Sequence, residues 1–178
     1  ALIERGIDGL VLLGTSHHPT VFRMIEMSRM PYVLTWALDA NGVHPCVGFD
    51  NRAAAVRVAD YLLDIGHREF GMISGLTAHN ERAQERIEGV RQALAARGGR
   101  LPAHRVLEKP FTLGAGREGL REIVQASPST TAIICGNDIL AILRGRLHDR
   151  RRSGKRHHAN AHVRRLVGDE SLGGVLRR

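Results

Sequence analysis

Residues 64–89 read DIGHREFGMISGLTAHNERAQERIEG, and their pattern is the clearest indication of the fold class of the chain. It contains a helix end closed by Gly66, an apolar run at residues 70–74, a polar loop, and a helix opened by Asn80. Glycine after a helix and asparagine before one are common helix end signals. A short apolar run between two helices indicates a buried strand. The order predicts an α/β protein with parallel sheets flanked by helices.

The same order recurs on both sides of this stretch. Before it we predict strands at residues 7–13, 31–35 and 46–49 and helices at 19–30 and 52–65. After it we predict a helix that Asn80 opens and Gly98 ends, a short strand at 105–107, a helix at 113–126, a strand at 131–135, and a helix starting at 138. Three glycines should weaken the helix at 113–126. Ligands of open α/β sheets bind at the carboxyl ends of the strands.

The positive charge of the chain is concentrated at one end. The 178 residues carry a formal net charge of +8, yet residues 1–143 hold 15 basic and 15 acidic residues. Residues 144–178 hold 11 basic and 3 acidic residues and show no apolar period. We predict that this basic tail is disordered and binds polyanions only incidentally. Non-specific nucleic-acid binding through phosphate contacts is the alternative.

Cysteine usage and hydropathy bound the environment. Cys46 and Cys135 are the only cysteines, and both lie in apolar runs, which favours small buried side chains in a reducing compartment. A bridge between them stays open, whereas a two-cysteine metal site lacks its other ligands. No run approaches the roughly 20 apolar residues of a membrane span. No signal peptide is visible. We therefore expect a cytoplasmic protein with no cofactor, metal or membrane partner.

Six motifs follow one another along the chain. They are Arg5-Gly6-Ile7-Asp8-Gly9, Pro31 before a strand, Val47-Gly48-Phe49-Asp50-Asn51, Gly66-His67-Arg68, the Arg86 to Gly89 element, and Gly136-Asn137-Asp138. In this order the motifs resemble the effector-binding core of the LacI family of transcriptional regulators, which shares its fold with periplasmic sugar-binding proteins. The resemblance covers roughly residues 1–143. It implies a two-lobed, periplasmic-binding-protein-like core, with residues 1–46 in the amino-terminal lobe, residues 47–143 in the carboxyl-terminal lobe, and the effector between them.

The resemblance implies partners as well. The effector would be a small polar molecule, often a sugar, and the intact family member would be a homodimer. Operator DNA would be reached only through a helix-turn-helix that should precede Ala1, so we expect a core that is incomplete at its front. The segments that return to the first lobe should follow Leu143, and we hypothesise that residues 144–178 are instead a frameshift product. The resemblance implies a regulator and not an enzyme.

Three residues of the carboxyl-terminal lobe are candidates for effector contact. Arg86 matches the family arginine that reaches ligand oxygens, and a guanidinium suits sugar hydroxyls or a carboxylate. Its alternative role is a solvated helix charge paired with Glu85 or Gln84. Asn137 and Asp138 follow a buried strand, where an amide and a carboxylate can receive hydroxyls. Their alternative role is to cap a helix, which does not exclude ligand contact.

Two further candidates lie in the amino-terminal lobe. Trp36 follows a predicted strand and could offer an apolar face to a sugar ring, although a buried core tryptophan is the alternative. The family often has a polar contact near this position, so the departure leaves the effector's identity open. Thr15, with Ser16 and His17, lies on another strand-end loop and is the last candidate.

Residues 114–119 raise a rival function, because they match the glycine fingerprint of dinucleotide-binding enzymes, with Asp138 beyond them. The fingerprint must follow directly from a buried strand, and here Pro110 and neighbouring charges argue against one. An NAD-dependent oxidoreductase is thus the weaker alternative, and a periplasmic sugar-binding protein the nearer one. We find no other catalytic constellation.

Overall fold

A computed structural model of the chain describes residues 6–142 and 175–177. The strands are β1 Leu10–Leu13, β2 Tyr32–Thr35, β3 Cys46–Val47, β4 Phe70–Ser74, β5 Val106–Glu108, β6 Ala132–Cys135 and β7 Val175–Arg177. The helices are α1 Pro19–Met27, α2 Asn51–Asp64, α3 Glu81–Ala96, α4 Leu113–Ala126 and α5 Asp138–Ala141, with a short 3-10 helix at Ala103–Arg105. Each predicted strand and helix is present, with boundaries shifted by a few residues.

Two sheets divide the described part of the chain. The first is parallel, in the order β1-β2-β3, with Leu12 opposite Leu34 and Thr35 opposite Val47. The second has the order β5-β4-β6-β7, and its first three strands are parallel. The α/β class with parallel sheets flanked by helices is therefore confirmed. The predicted lobe boundary between residues 46 and 47 falls within β3 and stays a prediction.

The second sheet is buried between two helical layers. All residues of β4 and β6 are buried, which explains their unbroken apolar runs. One layer packs α2 and α3 against Phe70 and Met72, and the other packs α4 and α5 against Ile73 and Cys135. Cys135 is a core residue as predicted, and its burial raises the pKa of the thiol to about 12. Cys46, which was also predicted to be buried, is only partly buried.

Two of the three glycines of α4 allow close packing against neighbouring elements. The helix is continuous from Leu113 to Ala126, although its three glycines led us to expect a weaker one. A Cβ on Gly116 would lie 2.4 Å from the Leu140 carbonyl oxygen, and one on Gly119 would lie 3.2 Å from the Ile73 side chain. Glycine is needed where a helix approaches its neighbours this closely, so the loss in propensity is offset by packing.

Most of the basic tail lies outside the described residues. Only Val175–Arg177 is described, and it forms β7 antiparallel to β6. The predictions of disorder and of a frameshift for residues 144–178 thus stay predictions. Within residues 6–142 and 175–177, no helix has both the length and the apolar character to cross a membrane.

Candidate functional site

Arg86 lies where the two sheets meet. Its Nε donates a hydrogen bond to Asn51 Oδ1 at 2.9 Å, and its Nη1 donates to the Gly136 carbonyl oxygen at 2.6 Å. Asn51 opens α2 just after the first sheet, and Gly136 follows β6 of the second sheet. The other terminal nitrogen, Nη2, has no hydrogen-bond partner among the described residues. Arg86 therefore holds the junction of the two sheets and keeps unused N–H donors.

The sequence around Arg86 explains how it reaches this place. The Asn80 side chain accepts a hydrogen bond from the Ala83 backbone N–H at 3.3 Å, so α3 begins at the edge of the second sheet. A Cβ on Gly89 would lie 2.4 Å from the Arg52 carbonyl oxygen. Glycine at position 89 thus lets α3 approach the start of α2, and this approach brings Arg86 to Asn51.

The surroundings of Arg86 differ from those of a surface helix charge. Burial and the nearby charge of Arg82 lower the pKa of the guanidinium, against a smaller opposing effect of Glu85. In the described part of the chain Arg86 forms no ion pair, and Gln84 donates instead to the Thr77 carbonyl oxygen at 2.9 Å. The alternative pairing with Glu85 or Gln84 is not formed. A guanidinium stays protonated even when its pKa falls, so the site carries a positive charge.

Asn51 and Trp36 form the next layer of the junction. The Asn51 side chain is fully buried, and its Nδ2 donates to the Trp36 carbonyl oxygen at 2.9 Å. Trp36 follows β2 and is 52% exposed, so it is not the buried core tryptophan of the alternative reading. Its backbone φ is +66°, which lies in the left-handed region that residues other than glycine rarely adopt. The indole ring is thus presented to solvent at the carboxyl end of the first sheet.

Thr15 joins the junction through its backbone. Its N–H donates to Glu81 Oε1 at 2.7 Å, which ties the loop after β1 to the start of α3. Burial alone would raise the pKa of Glu81. Hydrogen bonds from the Thr15 backbone, from Glu81's own backbone N–H and from the Ser16 side chain, together with the charge of Arg82, outweigh burial, so the pKa is lowered. The second oxygen, Oε2, is buried without a partner, as is His17 Nε2, within the described residues. The loop is therefore docked, and two polar atoms beside it remain unsatisfied.

Asn137 and Asp138 lie at the end of β6. Asn137 Oδ1 accepts a hydrogen bond from the Leu140 backbone N–H at 2.9 Å and so caps α5. Its amide nitrogen has no partner among the described residues. Asp138 is exposed, and its Oδ1 accepts from the Ile139 N–H at 2.8 Å. The capping role is present at Asn137, and it leaves an amide donor and a carboxylate at the same edge as Arg86.

Three of the five candidate residues take part in hydrogen bonds that link the two sheets, and Asn137 directly follows Gly136 in the chain. Arg86 spans the junction of the two sheets, Trp36 joins it through Asn51, and Thr15 joins it through Glu81. Asp138 lies one residue further on, turned to its own helix. No group of three or more potential metal ligands occurs in the described parts of the chain. The arrangement offers hydrogen-bond donors, one carboxylate and an aromatic face, which suits a small polar molecule.

Sequence reasoning missed two side chains of this region. From the sequence, Asn51 is only part of a helix start, because no neighbouring residue indicates that its amide bonds Trp36 and Arg86. From the sequence, Phe111 is only a loop residue. In the structure it is 47% exposed, and its ring covers Gly75, where a Cβ would lie 2.2 Å from the ring. Gly75 directly follows β4, so Phe111 presents a second aromatic face at the carboxyl edge of the second sheet. The glycine beside an apolar strand end was the available signal.

The glycine fingerprint at residues 114–119 has a structural explanation. It lies inside α4, which Thr112 caps through the Ala115 N–H at 3.2 Å. The dinucleotide fingerprint instead occupies a tight turn between a strand and a helix. The close contacts of Gly116 and Gly119 account for the motif, and the oxidoreductase alternative loses its main support.

Comparison with known proteins identifies the family of the chain. Residues 1–167 match the family described as periplasmic binding proteins and sugar binding domain of LacI family. An HTH-type transcriptional regulator of Mycobacterium tuberculosis, Rv3575c, is 30% identical over 80% of this chain and 44% of its own length. The HTH-type transcriptional regulator GntR of Escherichia coli is 28% identical over 80% of this chain and 42% of its own. The chain thus spans less than half the length of these relatives.

Solved structures show the same similarity. The transcription regulator GntR from Chromobacterium violaceum superposes with a TM-score of 0.70 at 30% identity, over 79% of this chain and 51% of that one. The transcriptional regulator CelR, solved as a complex with cellobiose, gives a TM-score of 0.65 at 26% identity, over 79% of this chain and 43% of that one. All four of these relatives are named as transcription regulators. The chain belongs to the family of periplasmic binding proteins and sugar binding domains of the LacI family.

Proposed function

We propose that this domain senses a small polar effector that binds between the two lobes, and that the effector is a sugar. The observation that carries the proposal is the position of Arg86. Its guanidinium bonds the start of α2 and the end of β6, and its Nη2 stays without a described protein partner. A ligand oxygen that binds there would contact the junction of the two sheets.

The chemistry around Arg86 favours a sugar. Sugars carry many hydroxyls around apolar ring faces. The Arg86 donors, the Asn137 amide and the Asp138 carboxylate would bind hydroxyls, since each ionised partner strengthens such a hydrogen bond. Trp36 and Phe111, both about half exposed, would contact ring faces. The cellobiose bound by the related CelR supports this ligand class.

Binding would regulate through lobe closure. A ligand that contacts both lobes favours the arrangement in which both can be reached, so it shifts the population toward a closed state. In the intact regulator, a homodimer in the cytoplasm, closure would change how two helix-turn-helix heads are presented to operator DNA. The relatives named as HTH-type regulators favour this role over that of a periplasmic sugar-binding protein.

A thermal-shift screen with mono- and disaccharides tests the proposal. A ligand of the native state raises the melting temperature, by an amount that grows with ligand concentration. We expect at least one sugar to stabilise the wild-type chain and not Arg86→Met. Arg91→Met is the matched control, because Arg91 lies on the same helix in an exposed ion pair with Glu88. If no sugar stabilises the wild type, or if Arg86→Met responds equally, the sugar-sensing proposal is wrong.

A further inference from the structure

We propose that Asn51 is a positioning residue that couples Arg86 to the backbone of Trp36. The coupling would carry ligand occupancy at Arg86 from the second lobe to the carboxyl end of the first sheet. It rests on the proposed function only in taking Arg86 as the ligand-binding group. The coupling itself is a property of the chain without ligand.

Both ends of the Asn51 side chain are hydrogen-bonded. Oδ1 accepts from Arg86 Nε at 2.9 Å, and Nδ2 donates to the carbonyl oxygens of Trp36 at 2.9 Å and Phe49 at 3.4 Å. Because Asn51 is fully buried, neither end can turn to water when its partner leaves. If Arg86 is displaced, the Asn51 side chain must therefore move as well.

The receiving end of this contact is a strained backbone. Trp36 has φ +66°, and a residue other than glycine persists there only when its surroundings hold it. Two hydrogen bonds do so: the Trp36 N–H donates to the Val47 carbonyl oxygen at 3.1 Å, and the Trp36 carbonyl accepts from Asn51. If the second bond is removed, only one hydrogen bond holds the Trp36 backbone in this conformation. The conformation of Trp36 should therefore depend on the hydrogen bond from Asn51.

A purely local role for Asn51 does not explain its conformation. It is the first residue of α2, but the helix is capped by Asp50, whose Oδ1 accepts from the Ala53 N–H at 2.8 Å. The Asn51 side chain does not cap the helix. Besides its longer bond to Phe49, it bonds residues 15 and 35 positions away in sequence. The contact thus links distant elements and is not needed to start the helix.

Trp36 is the only tryptophan of the chain, so its fluorescence reports the receiving end directly. We would measure acrylamide quenching of Trp36 in the wild type, Arg86→Met, Asn51→Ala and the double variant, without ligand. Arg86→Met should raise the quenching constant by roughly 1.5-fold, because the half-exposed indole gains mobility. In the Asn51→Ala background the same substitution should change nothing. Arg91→Met should leave the wild-type value unchanged.

A merely structural Asn51 would give a different pattern. Arg86→Met would then leave Trp36 quenching unaltered, or alter it equally in both backgrounds, and either result overturns the proposal. If Asn51→Ala melts without cooperativity, Asn51→Asp replaces it, because the aspartate keeps acceptors for Arg86 but loses the donor to Trp36. The coupling with Arg86 should again disappear. Since no ligand is present, failure here is distinct from failure of the sugar screen.

Discussion

At the scale of single residues, Arg86 decides the character of the site. Its guanidinium donates hydrogen bonds to Asn51 Oδ1 and to the Gly136 carbonyl oxygen, and both of these residues are buried. Removing it leaves two buried acceptors without a donor, and a lost partner of this kind costs more than the bond itself contributes. Arg86 is therefore expected to stabilise the chain as well as to bind ligand.

We expect Arg86→Met to lower the free energy of unfolding by about 1–3 kcal/mol, since buried acceptors lose a charged donor. Urea unfolding measures the change. Arg91→Met should cost about 1 kcal/mol or less, because its ion pair with Glu88 is exposed. Equal costs for the two variants would mean that Arg86 is not held as described.

Glu81 gives the site a pH dependence. Its pKa lies below the ordinary value of 4.5 in the folded chain, so its stabilising effect is present above that value and is lost as the pH falls through the folded pKa. We expect Glu81→Gln to cost about 0.5–1.5 kcal/mol at pH 7 and progressively less toward pH 3. Urea unfolding at several pH values measures this difference. A cost that stays constant over this range would contradict the Thr15 contact.

The two cysteines differ in burial, and this predicts their reactivity. Burial raises the pKa of Cys135 to about 12, so almost no thiolate exists at pH 8. A thiol reagent should modify at most Cys46, which is only partly buried, until the chain is unfolded. Mass spectrometry of the labelled peptides identifies the residue. Labelling of Cys135 in the folded chain would show that β6 is not buried as described.

At the scale of helices and strands, glycine positions fix the geometry. Gly89 has a neighbouring carbonyl 2.4 Å from where a Cβ would lie, whereas Gly114 has nothing within 4 Å. Both are helical residues, but only Gly89 has a close neighbour. Substitution by alanine should therefore change the stability of the chain in opposite directions at the two positions. The contrast separates the effect of close packing from that of helix propensity.

We expect Gly89→Ala to destabilise the chain by about 1–3 kcal/mol, because α3 must move away from α2. Gly114→Ala should stabilise it by up to about 1 kcal/mol, since alanine is the better helix former. Thermal unfolding of both variants measures the signs. Stabilisation by Gly89→Ala would mean that the two helices do not approach as closely as the structure shows.

The sequence predicted these elements well, because their signals are local. Apolar runs, caps and terminal glycines lie within a few residues of each strand or helix, and they placed α2, α3 and β4. What the glycines of α4 contact, and that Trp36 is exposed, could not be predicted in the same way. Those facts depend on Leu140, Ile73 and Asn51, which are distant in sequence.

At the scale of the whole molecule, the junction between the sheets contains residues that the sequence motifs indicate and residues that they do not. The motifs resembling LacI-type regulators pointed to Arg86 and Asn137, and both lie at this junction. Neither Asn51 nor Phe111 was predicted, since a helix start and a loop aromatic carry no chemical signal until the sheets are placed side by side. The fold class could thus be predicted in full, and the site only in part.

Calorimetric titration of the best-stabilising sugar tests whether the effector binds at Arg86. We expect one binding site per chain in the wild type and in Arg91→Met. In Arg86→Met we expect a dissociation constant at least tenfold weaker, a loss of about 1.4 kcal/mol or more. Unchanged affinity in a folded Arg86→Met chain would show that the ligand binds elsewhere, and it would contradict the assignment of the junction as the effector site.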